Sequence, residues 1–526
     1  MQYLVVQAYW YFDTMTGEFR YRIKSPGEAL ADHPKYEVIN VHIFHPLFAE
    51  LAHAADLLIL HLLPDNEIEH VIQLRKRMGK PTLFEIADNF LSLGSWVSTD
   101  DAHRNPTIRQ KLLYHASTCD GLQFSSEELK KTFSFLNPTH IVFENQADHF
   151  AREERQRRPL VIGWGGSKGH EQDLARIAPV ILDFCSRHED VVFSYMGYLP
   201  IFETHFSLLP ESQRRVREAG PIEDYFTFLS TLHVGLAPLS DSEFNRCRSD
   251  IKFVEYAAHG VLPILSDAPA YRVHGKNLDN ALFFRNNQEL MDLLEDLYIN
   301  PDKLEKMADQ ASQFASTRRS MVNHIGRRHH FYRRFLKHDA FITEQPELPD
   351  CAGLMAHLRV ASDHFTSSRL DEALENLDKV LAMHPNYGLA HIMRINTLIE
   401  LKRPEQVLEE YGNYQPQAIY NDLFYVGMTR AAQMLHLAGW RKVALRIVDP
   451  VLRLEMDPEI EPDTETRLRT ILKHNPHHYK SLLNLVRVLS RSYGNRLECL
   501  GLMDRACFLE PESQALRNLR DNIAMS

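Results

Sequence analysis

Short apolar runs rich in β-branched and aromatic residues alternate with helix-patterned segments through the first part of this 526-residue chain, and that alternation admits few folds. The first series is "YLVVQAYW" (3–10), "YEVINVHIF" (36–44), "DLLILHLL" (56–63), "PTLFEIAD" (81–88), "DGLQFSS" (120–126) and "THIVFENQ" (139–146). Continuous runs of this length, separated by helices, predict strands covered on both faces and so a parallel, doubly wound sheet. "REERQRRP" (152–159) then interrupts with charge and ends in proline, the composition of a linker. A second series follows in "LVIGWGGS" (160–167), "DVVFSYMG" (190–197), "HVGLAPLS" (233–240), "VLPILSD" (261–267) and "ALFFRN" (281–286). The pattern predicts an α/β chain with two Rossmann-like domains in tandem, facing each other across a cleft.

From about residue 346 the strand signal stops and a repeat begins. "RLDEAL" (369–374) recurs as "RPEQVL" (403–408), a displacement of 34 residues, and the spacing from Leu374 to Pro385 returns from Leu500 to Pro511. "GWRKVALRIVDPVL" (439–452) is a less regular copy. The period resembles that of tetratricopeptide repeats, which implies an all-α array with a groove for a peptide or protein. The expected division is a first Rossmann-like domain over 1–155, a second over 156–317, a basic crossover helix over 318–345 and repeats over 346–526. Ending the chain near residue 345 is then expected to leave a folded α/β pair.

Composition narrows the class. The net charge of −11 argues against a general nucleic-acid binder. The opening "MQYLVVQAYWYFD" has no basic leader, and no stretch approaches the ~20 apolar residues that span a bilayer, so a cytoplasmic protein is expected. Cys119, Cys185, Cys247, Cys351, Cys499 and Cys507 form no C-x-x-C pair, which fits free thiols in a reducing compartment.

Two stretches carry chemistry. In "VIGWGGSKGHEQDL" (161–174) a strand runs through Gly165, Gly166, Ser167 and Lys168 into a helix. Glycines let backbone approach a ligand, and a helix N-terminus suits a phosphate, although many such turns are glycine-rich for geometry alone. In "APLSDSEFNRCRSDIKFVEYAAHGVLPILSD" (237–267) a loop carries Arg246 and Arg248, and Lys252 and Glu255 follow about one helical turn apart. Cations there can offset a diphosphate, and a carboxylate can accept hydrogen bonds from ribose hydroxyls.

In order and spacing these stretches, with "NALFFRNNQELMDLLEDLYINPDKLEKMADQAS", resemble the carboxyl half of GT-B glycosyltransferases of the family 4-like group. "KPTLFEIADNF" and "CDGLQFSSEELKKTF…THIVFENQAD" resemble their amino half, so the likeness spans about 1–335. It implies a nucleotide-activated sugar as donor, UDP- or GDP-linked, no separate cofactor and no structural need for a metal. It also implies that Glu255 holds the ribose while Arg248 and Lys252 contact the diphosphate. One departure stands out: the position eight before Glu255, where members of the group carry another glutamate, is Cys247, and Glu243 falls four residues out of register.

Sugar transfer of this kind runs through an oxocarbenium-like transition state, which preorganised cations and amides stabilise at the leaving group; Lys168, Arg248, Lys252 and the amides near Gly166 are the candidates. The stereochemical outcome is open; an inverting enzyme would need a base near the acceptor hydroxyl, Asp13 or Asp88, each otherwise a loop-capping or solvated carboxylate. His170 is either catalytic or a pocket wall. Arg20, Arg22 and Lys24 alternate along what reads as a strand, so they share one side, facing an anionic acceptor or solvent. "RRSMVNHIGRRHHFYRRFLKH" (318–338) is basic and amphipathic, and its aromatic face is expected to pack on the first domain, with contact to the inner face of a membrane a further role. The expected acceptor is a protein, a glycan or a lipid-linked sugar, recruited directly or through a protein partner on the repeats. Two other readings stay open: a shell of this fold that has lost turnover and works through its repeats, and a sugar-nucleotide epimerase.

Overall fold

The computed structural model describes residues 2–10, 16–93, 102–153, 155–276, 279–336, 351–413, 464–474, 476–490 and 495–525. Asp13 and "GWRKVALRIVDPVL" lie outside the described residues, as does the 337–350 segment where the repeats were expected to begin.

Strands β1 (Tyr3–Tyr9), β2 (Tyr36–His42), β3 (Leu57–His61), β4 (Thr82–Ile86), β5 (Gly121–Phe124) and β6 (His140–Val142) make one sheet in the order β2-β1-β3-β4-β5-β6. Strands β7 (Leu160–Gly165), β8 (Val191–Gly197), β9 (Arg214–Glu218), β10 (Val234–Ala237), β11 (Leu262–Ser266) and β12 (Leu282–Phe284) make the other, in the order β12-β11-β10-β7-β8-β9. Every strand pair is parallel. Each order reverses once, between β1 and β3 in the first sheet and between β7 and β10 in the second, and a crevice opens at the carboxyl ends of strands at such a reversal.

Alternate strand residues serve opposite faces of the first sheet. Leu4, Val6, Leu58, Leu60 and Phe84 join one core, while Val5, Leu57, Ile59 and Leu83 join another. The second core is completed by Met321, Ile325, Phe331 and Tyr332 of the basic helix Met321–Tyr332. The aromatic face of that helix is therefore spent on packing, as the sequence suggests. Among the described residues no helix is long and apolar enough to cross a membrane.

Three features differ from expectation. Strand β9 has no apolar signal, because it is an edge strand whose residues are mostly exposed. The segment with Arg20, Arg22 and Lys24 is no strand but a π-helical turn, Arg20–Lys24. Its arginines diverge: Arg22 is buried against Glu85 at 2.5 Å, Arg20 pairs with Asp148 at 3.0 Å, and Lys24 is exposed. The arginine-rich "linker" is a strap, in which Arg155 donates to the carbonyls of Ser230, Gly260 and His259, and Arg157 pairs with Asp302 and Glu305.

Beyond residue 350 every described element is a helix, beginning with Ala352–Thr366 and Leu370–Met383 and ending with Arg496–Leu509 and Gln514–Met525. These helices do not stand apart as a self-contained array. Leu112, Leu113 and Ala116 of the first domain's helix Pro106–Thr118 share one continuous apolar core with Leu482, Leu485, Met503 and Leu509. Arg109, fully buried on the same helix, donates to the Leu509 carbonyl at 3.1 Å and to Glu512 at 3.0 and 3.2 Å. Gln110 accepts from the Tyr479 amide at 2.7 Å, and the Tyr387 hydroxyl donates to the Phe44 carbonyl. Ending the chain near residue 345 would strip this cover from Pro106–Thr118. That truncation should melt at a lower temperature than the full chain and bind a dye specific for exposed apolar surface; an unchanged melt of the α/β part would show the contact to be dispensable.

Candidate functional site

A cavity of about 870 Å³ opens between the two sheets at their carboxyl ends. Its walls come from the segments that follow strands: Ala87 and Asp88 after β4, Ser125 after β5, Gly166 and Ser167 after β7, and Leu239 and Arg248 after β10. The segment after β1 adds Glu18, Tyr21 and Arg22, and Gly220 and Pro221 follow β9.

Three side chains converge on Glu255. The helix Ile251–Ala258 starts immediately after Asp250 and buries Glu255 in its second turn. The Tyr21 hydroxyl donates to Oε1 at 3.0 Å and the Tyr225 hydroxyl to Oε2 at 2.9 Å. Lys252 Nζ reaches Oε2 at 3.3 Å and the Tyr225 hydroxyl at 2.6 Å. Burial, followed by the Glu255 charge, holds both phenols well above their ordinary range, so they stay hydroxyl donors.

His170 links Arg248 to Asp173 of the helix Glu171–Arg187. Arg248 Nη1 donates to Nε2 at 2.5 Å, so the opposite nitrogen carries the proton and donates to Asp173 at 2.9 Å. Asp173 is fixed in turn by the Ser240 amide at 2.6 Å. Burial pushes His170 down to about 4, with the Arg248 cation acting the same way. A neutral imidazole with both nitrogens engaged is a brace for Arg248, whose guanidinium also lies 5.2 Å over the Phe244 ring.

Of the residues singled out by sequence, Asp88, Gly166, Ser167, His170, Arg248, Lys252 and Glu255 line the cavity together. Gly165 and Lys168 do not line it. A Cβ on Gly165 would lie 2.7 Å from Tyr225, so that glycine makes room for the tyrosine and not for a ligand. Lys168 is exposed on the short turn Lys168–His170. Among the described residues no hydrogen bond or ion pair engages the Asp88 carboxylate, which is half-buried in the first-domain wall. Glu85, by contrast, is turned inward to Arg22 and Gln123. Cys247 is buried in the contact between domains, with Asn89 Nδ2 3.5 Å from its sulfur and Ser126 donating to its carbonyl at 2.7 Å. Glu243 is exposed, so neither position supplies the cavity with a carboxylate. Sequence reasoning missed Glu18, Tyr21 and Tyr225.

No protein-family model matches the chain, and no curated protein matches it. Solved structures similar to it include HepE from Anabaena in complex with UDP and glucose, at TM-score 0.47 and 11% identity over 63% of this chain and 100% of that one. Sucrose-phosphate synthase from Thermosynechococcus elongatus is similar at TM-score 0.48 and 11% identity over 63% and 99%. The pneumococcal O-GlcNAc transferase GtfA in complex with UDP and GlcNAc is similar at TM-score 0.39 and 12% identity over 54% and 57%. At such identities the site is read from its own geometry.

The buried histidines set an acid limit. Burial pushes His42, His61, His170 and His259 each from 6.5 to about 4. Between those values the unfolded chain binds more protons, so stability rises with pH; the contribution is complete above 6.5 and is lost as pH falls toward 4. Denaturant midpoints measured from pH 4.5 to 7 should follow that slope, and His61→Leu should flatten part of it.

Proposed function

We propose that this chain is a glycosyltransferase that moves a sugar from a nucleotide-sugar donor, a UDP- or GDP-sugar, to a protein, a glycan or a lipid-linked acceptor. The observation that carries the reading is the meeting of Glu255, Lys252 and Arg248, at the carboxyl end of the second sheet, with the open carboxylate of Asp88 across the same cavity. A carboxylate beside two cations matches the needs of a nucleoside diphosphate, ribose hydroxyls on one and phosphates on the others.

In this reaction the bond from the sugar to the diphosphate breaks as the acceptor hydroxyl attacks, and negative charge grows on the leaving phosphate. Arg248, held in place by His170, and Lys252 stabilise that charge, together with the backbone amides at Gly166 and Ser167. Asp88 takes the proton of the acceptor hydroxyl from the first-domain side, with Glu18 in the same wall. His170 is a positioning residue and not a proton carrier, since both its nitrogens are engaged. No divalent ion is needed where cations already face the diphosphate. The helical region recruits the acceptor or a partner protein, in the manner of tetratricopeptide repeats, and the enzyme works in the cytoplasm.

Cys247 favours one second reading, a nucleotide-binding shell without turnover, because the carboxylate its family places there has no counterpart in the cavity. Release of free nucleoside diphosphate together with a glycosylated product separates the two. For the donor site, Glu255→Ala and Lys252→Ala should each weaken UDP or GDP binding by roughly ten- to a hundredfold in calorimetry, with the fold retained by circular dichroism. Undiminished affinity in both variants would sink the assignment. Transfer should also survive EDTA, whereas loss in EDTA with recovery on adding Mg²⁺ or Mn²⁺ would place a metal in the reaction.

A further inference from the structure

The Tyr21 contact crosses the cleft. Tyr21 belongs to the first domain, on the π-helical turn Arg20–Lys24, and Glu255 belongs to the second. A carboxylate offers about four lone-pair sites. Glu255 already accepts from Tyr21, Tyr225 and Lys252. A ribose diol would add two more donors, so at least one present partner must leave before both hydroxyls can bind.

The surroundings decide which. Tyr225 packs against Gly165, where a Cβ would stand only 2.7 Å from its ring, stacks on Phe228 at 6.2 Å and also holds Lys252. Lys252 lies one turn from Glu255 on the same helix. Both move with the carboxylate. Tyr21 alone of the three comes from the opposite domain, and a π-helical turn is an uncommon backbone form that recurs at functional sites.

We propose that Tyr21 is a plug in the nucleotide subsite: its hydroxyl occupies Glu255 Oε1 in the free protein, and an arriving nucleotide displaces it. The inference rests on the reading of Glu255 as the ribose acceptor. Its consequence is an order of binding. Glu18 and Arg22 flank Tyr21 on the same segment and line the same cavity, so the exchange resets the acceptor-side wall after the donor has entered.

The test uses the full chain and two probes, UDP and GDP. Tyr21→Phe keeps the ring and removes the competing hydroxyl, so calorimetry should show nucleotide binding tightened by roughly tenfold relative to wild type. In wild type, saturating nucleotide should speed amide hydrogen exchange across residues 17–24. Equal or weaker binding by Tyr21→Phe, or slower exchange in that segment, would overturn the plug while leaving the ribose assignment standing. If neither nucleotide binds either protein, the donor-site reading falls and the plug with it; if Glu255→Ala binds as wild type does, the ribose role of Glu255 falls and takes the plug with it.

Discussion

One buried ion pair ties the two passages between domains to the candidate donor helix. Arg319, 1% exposed, forks onto Asp250 at 2.5 and 2.8 Å and donates as well to the Asn145 carbonyl at 2.6 Å and to Gln146 at 3.2 Å. The chain leaves the first domain through Asn145–Ala147 and returns to it through Arg319–Met321. At that crossing the Ala147 amide bonds to the Arg319 carbonyl, and the Met321 amide to the Ala147 carbonyl. Asp250 is the residue before Ile251–Ala258, where its charge also favours the helix N-terminus. Lys252 and Glu255 are thus placed by an anchor fixed to both domains. Breaking a buried pair by removing one member typically costs ~3–5 kcal/mol, so this joint resists independent drift of the domains.

The parallel sheets were legible because strands buried on both faces must be continuously apolar, and every such run named from the sequence is a strand. Strand β9 escaped because "RRVRE" sits on an edge and carries its charge into solvent. Arg248, Lys252 and Glu255 were legible for a different reason: they lie within eight residues of one another, and helical spacing groups them. Tyr21 and Tyr225 reach Glu255 from chain separations of 234 and 30 residues, which no local pattern records. The only hint was Gly165, read as space for a ligand and in fact space for the Tyr225 ring. Alternation misled in the segment of Arg20, Arg22 and Lys24, since a π-helical turn scatters residues that a strand would align.

Cys247 belongs to the joint between the domains and not to the cavity wall. It faces Asn89 and the segment of Ser126 and Thr132, so the position contributes to closing the domains on each other. Carboxylates reach the cavity instead through Glu255 from one side and through Asp88 and Glu18 from the other. The two walls therefore differ in charge, with Arg248 and Lys252 on the second-domain side and Asp88 and Glu18 beside Arg22 on the first.

The docking of the last helices on Pro106–Thr118 bears on how the protein is made. Arg109 finds its partners 400 and 403 residues later in the chain. During synthesis the first domain emerges early, yet Arg109 keeps only its local bond to the His103 carbonyl, and the apolar face beside it has no cover, until the helices around Leu482 and Leu509 leave the ribosome. Contacts of such sequence separation form late, and surface left bare in the interval is prone to aggregate. The nascent chain therefore passes through a long stage in which its first domain is folded on one side and sticky on the other, a state suited to a holding chaperone.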